Sequence, residues 1–379
     1  MGIAELTRNA VHVLPSGALE AKLALDRPLR VKLGIDVTSP DIHVGRGIPL
    51  QRMRAFQDEG HTGVLIVGDY TTRIGDPSGR STERPILSDE EIDHNAETYL
   101  EQALQILVPE RTEVRRNSEW LAVLSFADVI RLTRMMTVAQ MLERDDFAGR
   151  YSSGQPISIS ELLYPLMQAY DSVAVEADVE LGGTDQLYNL LAGREVMQAY
   201  GLQPQVVLTT PLLVSWDGDK MSSSVGNNIP LTAAGEEQFG RTMRISDDLL
   251  EEWYRLVVQA PVPEGDPLEA KLALARWIVT RSHGAEAAGA AEEHFTRVVR
   301  EGRAPDAVAE HPLPDGDPLH VPAVLADAFG ISTSEARRLL SQGGVRLDGN
   351  PTSELDLPRS ALTGVVVQAG KRRFARLVG

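Results

Sequence analysis

The residues of this chain best suited to chemistry stand in short, glycine-containing loops. The first loop is Gly34-Ile35-Asp36-Val37-Thr38-Ser39-Pro40-Asp41-Ile42-His43-Val44-Gly45-Arg46-Gly47. An apolar run from Leu29 to Ile35 reads as a strand leading in, and Ile48, Leu50, Met53 and Phe56 follow at helical spacing. A strand, a turn and a helix start present backbone N–H groups and a positive helix end to an anion. Gly45 would let a flat nucleotide approach the backbone, and His43 is placed to donate to a phosphate. The segment matches neither G-x-x-x-x-G-K-[ST] nor G-x-G-x-x-G. It also reads as plain strand–turn–helix framework with a surface histidine.

Three further loops follow expected strand ends: Gly75-Asp76-Pro77-Ser78-Gly79, Gly182-Gly183-Thr184-Asp185-Gln186 and Lys220-Met221-Ser222-Ser223-Ser224. Between them Tyr164, Gln168 and Asp171 recur at i, i+4 and i+7, which puts them on one helix face. Polar groups gathered on an apolar helix are costly without partners, and a ligand supplies partners.

The elements that must hold these loops read as two βαβ halves of an open parallel sheet, which binds ligands at the carboxyl ends of its strands. The first half is the strand before Gly34, a helix from Ile48 to Glu59 ended by Gly60, and the buried run Thr62 to Gly68. The second is a helix from Ser160 to Asp171, a strand from Ala177 to Leu181, a helix from Gln186 to Tyr200 and a strand from Gln205 to Thr209. Residues 1–28 read as one or two short helices, and Ser88 to Met141 as mostly helical, opened by a capping box at Ser88-Asp89-Glu90-Glu91. The Met135, Met136, Val138, Met141 and Leu142 stripe reads as core or subunit interface. Residues 240–304 read as helical, the proline-rich and acidic 305–318 as a linker, and 319–379 as a compact unit of helices and strands.

At 379 residues and 42% apolar content the chain is a globular protein of two or three domains. It has no cysteine, hence no disulfide, thiolate metal site or cysteine nucleophile. No run approaches the ~18 apolar residues of a spanning helix, and the first ten residues lack an apolar signal core. A cytoplasmic protein is expected. The net charge of −17 repels nucleic acid globally, but His320 to Gly379 carries +3 and the remainder −20. A basic tail on an acidic body points to a polyanionic partner.

The four loops together, in order, resemble those of the class I aminoacyl-tRNA synthetases, and most closely the bacterial-type tyrosyl-tRNA synthetases with a short C-terminal RNA-binding domain. His43-Val44-Gly45-Arg46 resembles the HIGH motif of that family and Lys220-Met221-Ser222-Ser223-Ser224 its KMSKS motif. The resemblance runs nearly end to end. It implies a doubly wound α/β (Rossmann-like) catalytic domain at 1–230 with a helical dimerisation insertion at about 85–150. A helical domain at 231–304, the linker and a small α+β RNA-binding domain at 319–379 complete the implied order. It further implies ATP-dependent activation of L-tyrosine and its transfer to tRNA(Tyr) by a homodimer. Mg²⁺ accompanies ATP, with no dedicated metal site and no tightly bound cofactor.

Residue by residue, the resemblance gives catalysis to His43, Gly45, Arg46, Lys220, Ser222, Ser223 and Ser224. ATP falls to Gly34, Asp36, Thr38, His43, Gly45, Gly183, Asp185, Lys220 and Met221. Tyrosine falls to Asp36, Thr71, Asp76, Tyr164, Gln168, Asp171 and Gln186, with Asp76 on the ammonium and Asp171 on the phenol hydroxyl. At the C-terminus, Ser334 to Leu340 and Gly343 to Gly349 resemble a small RNA-binding domain shared with a ribosomal protein. Arg337, Arg338, Arg346, Lys371, Arg372 and Arg373 would form its basic face.

Three positions depart from the family pattern. Arg46 replaces the second histidine of HIGH, Ser223 replaces the second lysine of KMSKS, and Lys32 stands where one bacterial subtype has a tyrosine, with Val37 for the usual proline. The phenol is then expected to lean on Asp171 without a tyrosine partner. Two other readings stand beside this one. The first is a tryptophanyl-tRNA synthetase, or a synthetase-like paralogue that activates an amino acid for another acceptor. The second is a non-catalytic RNA-binding protein.

Overall fold

The computed structural model describes residues 2–77, 87–301, 308–370 and 373–379, with Asp145 described by its backbone alone. Ser78, Gly79, Pro305, Asp306, Lys371 and Arg372 therefore lie outside the described residues. The chain divides into two compact units, residues 1–233 with 244–271, and residues 234–243 with 272–379.

The first unit is built on a six-stranded sheet: β1 (His12–Leu14), β2 (Arg30–Ile35), β3 (Thr62–Val67), β4 (Thr112–Arg116), β5 (Val179–Gly183) and β6 (Val206–Thr210). Its order is β1-β6-β5-β2-β3-β4, parallel throughout except for the antiparallel edge β1. The apolar runs predicted as strands are buried, as a sheet covered on both faces requires. Leu33, Phe56, Leu65, Val179 and Leu208 belong to one core. The chain passes from β2 outward to β3 and β4 and later returns to β5 and β6 on the other side. Connections therefore diverge between β2 and β5, and a crevice opens at their carboxyl ends.

Helices meet this sheet largely as their sequences require. The Val44–Asp58 helix is capped by His43, and the Asp89–Ile106 helix opens on the Ser88/Glu91 capping box. The Ile159–Ala174 helix carries a second box, Ser158 with Glu161. Two strands of this sheet escaped the sequence reading. His12–Leu14 lies in the stretch expected to be helical, between the short helices Ile3–Leu6 and Ala18–Leu23. Three residues carry no periodicity; pairing with β6 makes them a strand. Thr112–Arg116 lies in the segment read as mostly helical and forms the other edge. Its charges pair sideways, Arg30–Glu113 at 2.8 Å and Arg115–Glu119 at 2.6 Å, and charged edges resist pairing with other chains.

The stretch 231–304 is helical but is not one body. The Pro267–His283 helix begins in the first unit and ends in the second. The expected linker is also partly structured, because β7 (Glu310–Pro312) pairs parallel to β13 (Arg373–Val378). With β9 (Val345–Leu347), β10 (Asn350–Pro351) and β12 (Val366–Ala369) they form a sheet ordered β10-β9-β12-β13-β7. Beside it, β8 (Leu319–His320) pairs with β11 (Asp356–Leu357). Leu325 and Leu340, from the helices Val321–Phe329 and Thr333–Ser341, share a core with Val367 and Leu377. Among the described residues no helix is long and apolar enough to cross a membrane.

Candidate active site

A cleft of about 1020 Å³ lies at the carboxyl ends of the central strands. Every residue assigned from sequence to catalysis, ATP or tyrosine lines it. Five chain segments distant in sequence, the four loops and the helix carrying Tyr164 to Asp171, are thus brought to one place, all within the first unit.

His43 closes the start of its helix. Its Nδ1 accepts from Arg46 N at 3.3 Å, which leaves Nε2–H as the donor. Burial, with the charges of Arg46 and Lys220, pulls its pKa down to about 3, so the ring is neutral at physiological pH. Gly45 has a role that the sequence reading placed elsewhere. A Cβ there would stand 3.2 Å from His43 Cε1 and 3.5 Å from Leu213 Cβ, so the missing side chain makes room for the histidine ring as well as for any ligand. Gly34, by contrast, is exposed with nothing near its missing side chain, an open floor beside the cleft. Arg46 reaches Ser39 Oγ at 3.5 Å.

The same cleft holds an acidic, hydrogen-bonded cluster. Asp36 accepts from Thr71 Oγ1 (2.8 Å), Tyr164 Oη (3.0 Å) and Asp76 N (3.2 Å). Burial and the neighbouring carboxylates push the Tyr164 phenol well above its usual range, so it remains a neutral donor. Asp76 accepts from Gln186 Nε2 at 2.7 Å. Gln168 lines the same wall, and its Oε1 is buried with no hydrogen-bond partner among the described residues. A buried acceptor of that kind is costly unless a ligand donates to it.

Deeper in, Asp171 accepts from Trp120 Nε1 (2.8 Å) and Asn117 Nδ2 (3.4 Å). Burial pushes it up to about 7, against the opposing pull of Lys32 and those two hydrogen bonds. Lys32 itself does not line the cleft. It is fully buried and donates to Gln168 O (2.9 Å), Ser172 Oγ (2.7 Å) and Glu180 Oε1 (2.7 Å). It therefore ties the Ile159–Ala174 helix to β2 and β5.

Elsewhere in the cleft, Lys220 Nζ pairs with Asp185 Oδ2 at 2.6 Å. Gly183 allows this, since a Cβ there would meet Asp185 Oδ1 at 2.6 Å and Leu212 Cδ2 at 2.7 Å. Ser222 N donates to Asn227 Oδ1 (2.8 Å), and Ser223 Oγ accepts from Asn228 Nδ2 (3.2 Å). The serine loop is thus braced by two asparagines the sequence reading passed over. Gly68, Asn117 and Trp120 were missed as well. The last two follow β4, and without that strand nothing placed them beside the end of β3. Among the described residues no cluster of His, Asp and Glu could hold a metal ion.

A family profile described as tRNA synthetases class I (W and Y) matches residues 24–300. The tyrosine–tRNA ligase of Moorella thermoacetica is 47% identical over 98% of this chain and 94% of its own length. The chain belongs to the tyrosyl-tRNA synthetases of class I. The tyrosine–tRNA ligase of Thermotoga maritima is 46% identical over 99% of this chain and 96% of that protein, and tyrosine–tRNA ligase 2 of Vibrio cholerae 45% over 99% and 98%. Among solved structures, the tyrosyl-tRNA synthetase of Archaeoglobus fulgidus complexed with L-tyrosine superposes with a TM-score of 0.62. It covers 76% of this chain and 98% of that one at 21% identity, a likeness of fold. The expected family and doubly wound architecture both hold.

The arginines assigned from sequence to RNA are exposed where described. Arg337 and Arg338 lie on the Thr333–Ser341 helix, Arg346 on β9 and Arg373 at the start of β13. Arg373 pairs with Glu335 at 3.0 Å, and Arg337 lies 3.3 Å from His320 Nε2.

Proposed function

We propose that the cleft performs the two steps of this family, activation of L-tyrosine by ATP and transfer of the tyrosyl group to tRNA(Tyr). The tyrosine carboxylate attacks the α-phosphorus, the bond from that phosphorus to the bridging oxygen breaks, and pyrophosphate leaves. A tRNA ribose hydroxyl then attacks the tyrosyl carbonyl, and AMP leaves. The protein's part is to position groups and to stabilise developing negative charge.

The observation that carries the amino-acid site is the unpaired Gln168 Oε1 beside the Asp36–Tyr164–Asp76 cluster. That wall offers acceptors to an ammonium. Asp171 then takes the phenol hydroxyl, and a site built to bond a hydroxyl rejects the analogue that lacks it, for which tyrosyl enzymes are themselves the reference example. With phosphates between them, the His43 Nε2–H and Lys220 grip from two sides, while Asp185 exchanges its lysine for the ribose. Arg46, always charged, adds a cation to the cleft, where Ser223 stands for the family's second lysine. Mg²⁺ arrives with ATP, held by phosphates and water.

Val123, Phe126, Val138, Tyr151 and Ile159 are each more than 60% exposed in and beside the insertion. So many exposed apolar side chains in one region of the sequence support a homodimer, which sedimentation of wild type against Phe126→Glu tests. The exposed arginines of the second unit support an RNA contact through phosphates.

The deciding experiment is amino-acid-dependent ATP–pyrophosphate exchange with tyrosine, phenylalanine and tryptophan, with Lys220→Ala alongside. Exchange with tyrosine alone, lost in the variant, is expected. Exchange with tryptophan, or with no amino acid, would overturn the reading.

A further inference from the structure

Gln186 enters the cleft with a defined end, although nothing in the side chain itself distinguishes its two ends. A glutamine amide can turn by half a rotation and present oxygen or nitrogen at nearly the same place. Here its orientation is set from both ends: the Asp76 carboxylate in the cleft can only accept, and a donor stands behind. Gln186 Oε1 accepts from Asn189 Nδ2 at 3.1 Å, and Asn189 Oδ1 accepts from Arg144 Nη1 at 2.9 Å. Arg144 donates and never accepts, because a guanidinium has no lone pair to offer and does not lose its proton. Its donation fixes Asn189 with oxygen toward the arginine and nitrogen toward Gln186. That in turn fixes Gln186 with nitrogen toward the cleft, where Nε2 donates to Asp76 at 2.7 Å.

Arg144 is built to hold this role. Its side chain is 5% exposed and grips Asp146, Nε to Oδ1 at 3.1 Å and Nη2 to Oδ2 at 2.7 Å. Its guanidinium carbon stands 4.9 Å from the Phe147 ring centroid and 5.3 Å from that of Tyr188. Asn189 is 1% exposed. A buried guanidinium with a carboxylate and two rings around it has little freedom to turn.

We propose that Arg144 and Asn189 are positioning residues which make Gln186 a hydrogen-bond donor toward the substrate's carboxylate. The inference rests on the tyrosine-activation reading and deepens it. The amino acid brings a carboxylate, an acceptor only, into a wall already carrying Asp36, Asp76 and Asp171. A donor must face that carboxylate, and an oxygen in its place would add repulsion. The relay keeps the amide from turning its oxygen inward to face the ammonium instead.

The test is the isosteric variant Asn189→Asp. A carboxylate at 189 still accepts from Arg144 but cannot donate, so Gln186 Oε1 loses its donor and Gln186 Nε2 is drawn from the cleft toward the new carboxylate, in competition with Asp76. Binding of L-tyrosine and of L-tyrosinamide, which offers an amide N–H in place of the carboxylate, is measured by titration on wild type and variant. The preference for tyrosine over tyrosinamide is expected to fall about tenfold or more in Asn189→Asp, with ATP binding changed less than about twofold. Equal weakening of both ligands, or no change, overturns the proposal, since a purely structural role would not alter the ratio. Should Asn189→Asp not fold, as judged by thermal unfolding, Arg144→Gln decides. Its amide both donates and accepts, so the ratio should fall about threefold, and an unchanged ratio is again contrary. Wild-type exchange with tyrosine, run in parallel, separates failure of this inference from failure of the function itself.

Discussion

At the scale of single residues, burial decides which protonation state does the work. His43, held neutral with its pKa near 3, needs only one acceptor for the helix start and one donor for the phosphates. Asparagine offers both and is itself a favoured N-cap. His43→Asn should therefore keep exchange within about tenfold of wild type, whereas His43→Ala should lose roughly 10²–10³-fold, as for removal of a charge-stabilising donor. No inflection near pH 6.5 is expected from this histidine. Asp171 behaves oppositely. Its pKa stands at about 7 in the folded chain against an ordinary 3.8. Between those values the folded state holds a proton that the unfolded chain has lost, so stability falls as pH rises from about 4 to 7 and then levels. Asp171→Asn should abolish that slope in pH-dependent unfolding. The phenol donates best to the ionised carboxylate, so kcat/KM for tyrosine should climb with pH to a plateau above about 7. The same variant should lose most discrimination against phenylalanine.

At the scale of elements, small residues and one buried ion pair hold the site together. A Cβ on Gly68 would stand 2.4 Å from Thr71 Oγ1 and 2.6 Å from Asp36 Oδ1. Gly68→Ala should push these apart and cost roughly 10²-fold in tyrosine-dependent exchange, the scale of a misplaced positioning group. Lys32 joins β2, β5 and the Ile159–Ala174 helix. Lys32→Met leaves Glu180 buried without its cation and should cost about 3–5 kcal/mol in denaturant unfolding. Lys32→Met with Glu180→Leu should recover much of that loss, because matched apolar residues often replace a buried pair at little cost. If the double variant were no more stable than the single, the pair would not be the cause.

At the scale of the molecule, charge is unevenly divided along the chain. The body carries the net negative charge and the cleft, while the C-terminal segment carries the excess of arginine. Arg337→Glu with Arg338→Glu should leave pyrophosphate exchange within about twofold and lower tRNA charging at least tenfold, more at low salt than at high, as screening of phosphate contacts predicts. Equal loss in both assays would point to a folding defect instead.

What the sequence determined by itself was whatever local pattern encodes. Apolar runs marked β2, β3 and β6, spacing marked the helices, Ser88 and Glu91 marked a cap, and four loops marked the cleft. Tertiary structure decided the rest, for a consistent reason. His12–Leu14 and Thr112–Arg116 are strands only because a neighbouring strand completes their hydrogen bonds. Lys32 could not be told from a cleft residue until Glu180, 148 positions away, was seen to claim its ammonium. Gly45 and Gly68 matter through side chains that their own would strike. Gln186 faces the cleft with nitrogen because of an arginine more than forty residues earlier, joined to it through one buried asparagine. Residue type states what a group can do; its partners, which no spacing specifies, settle which way it points and whether it is charged.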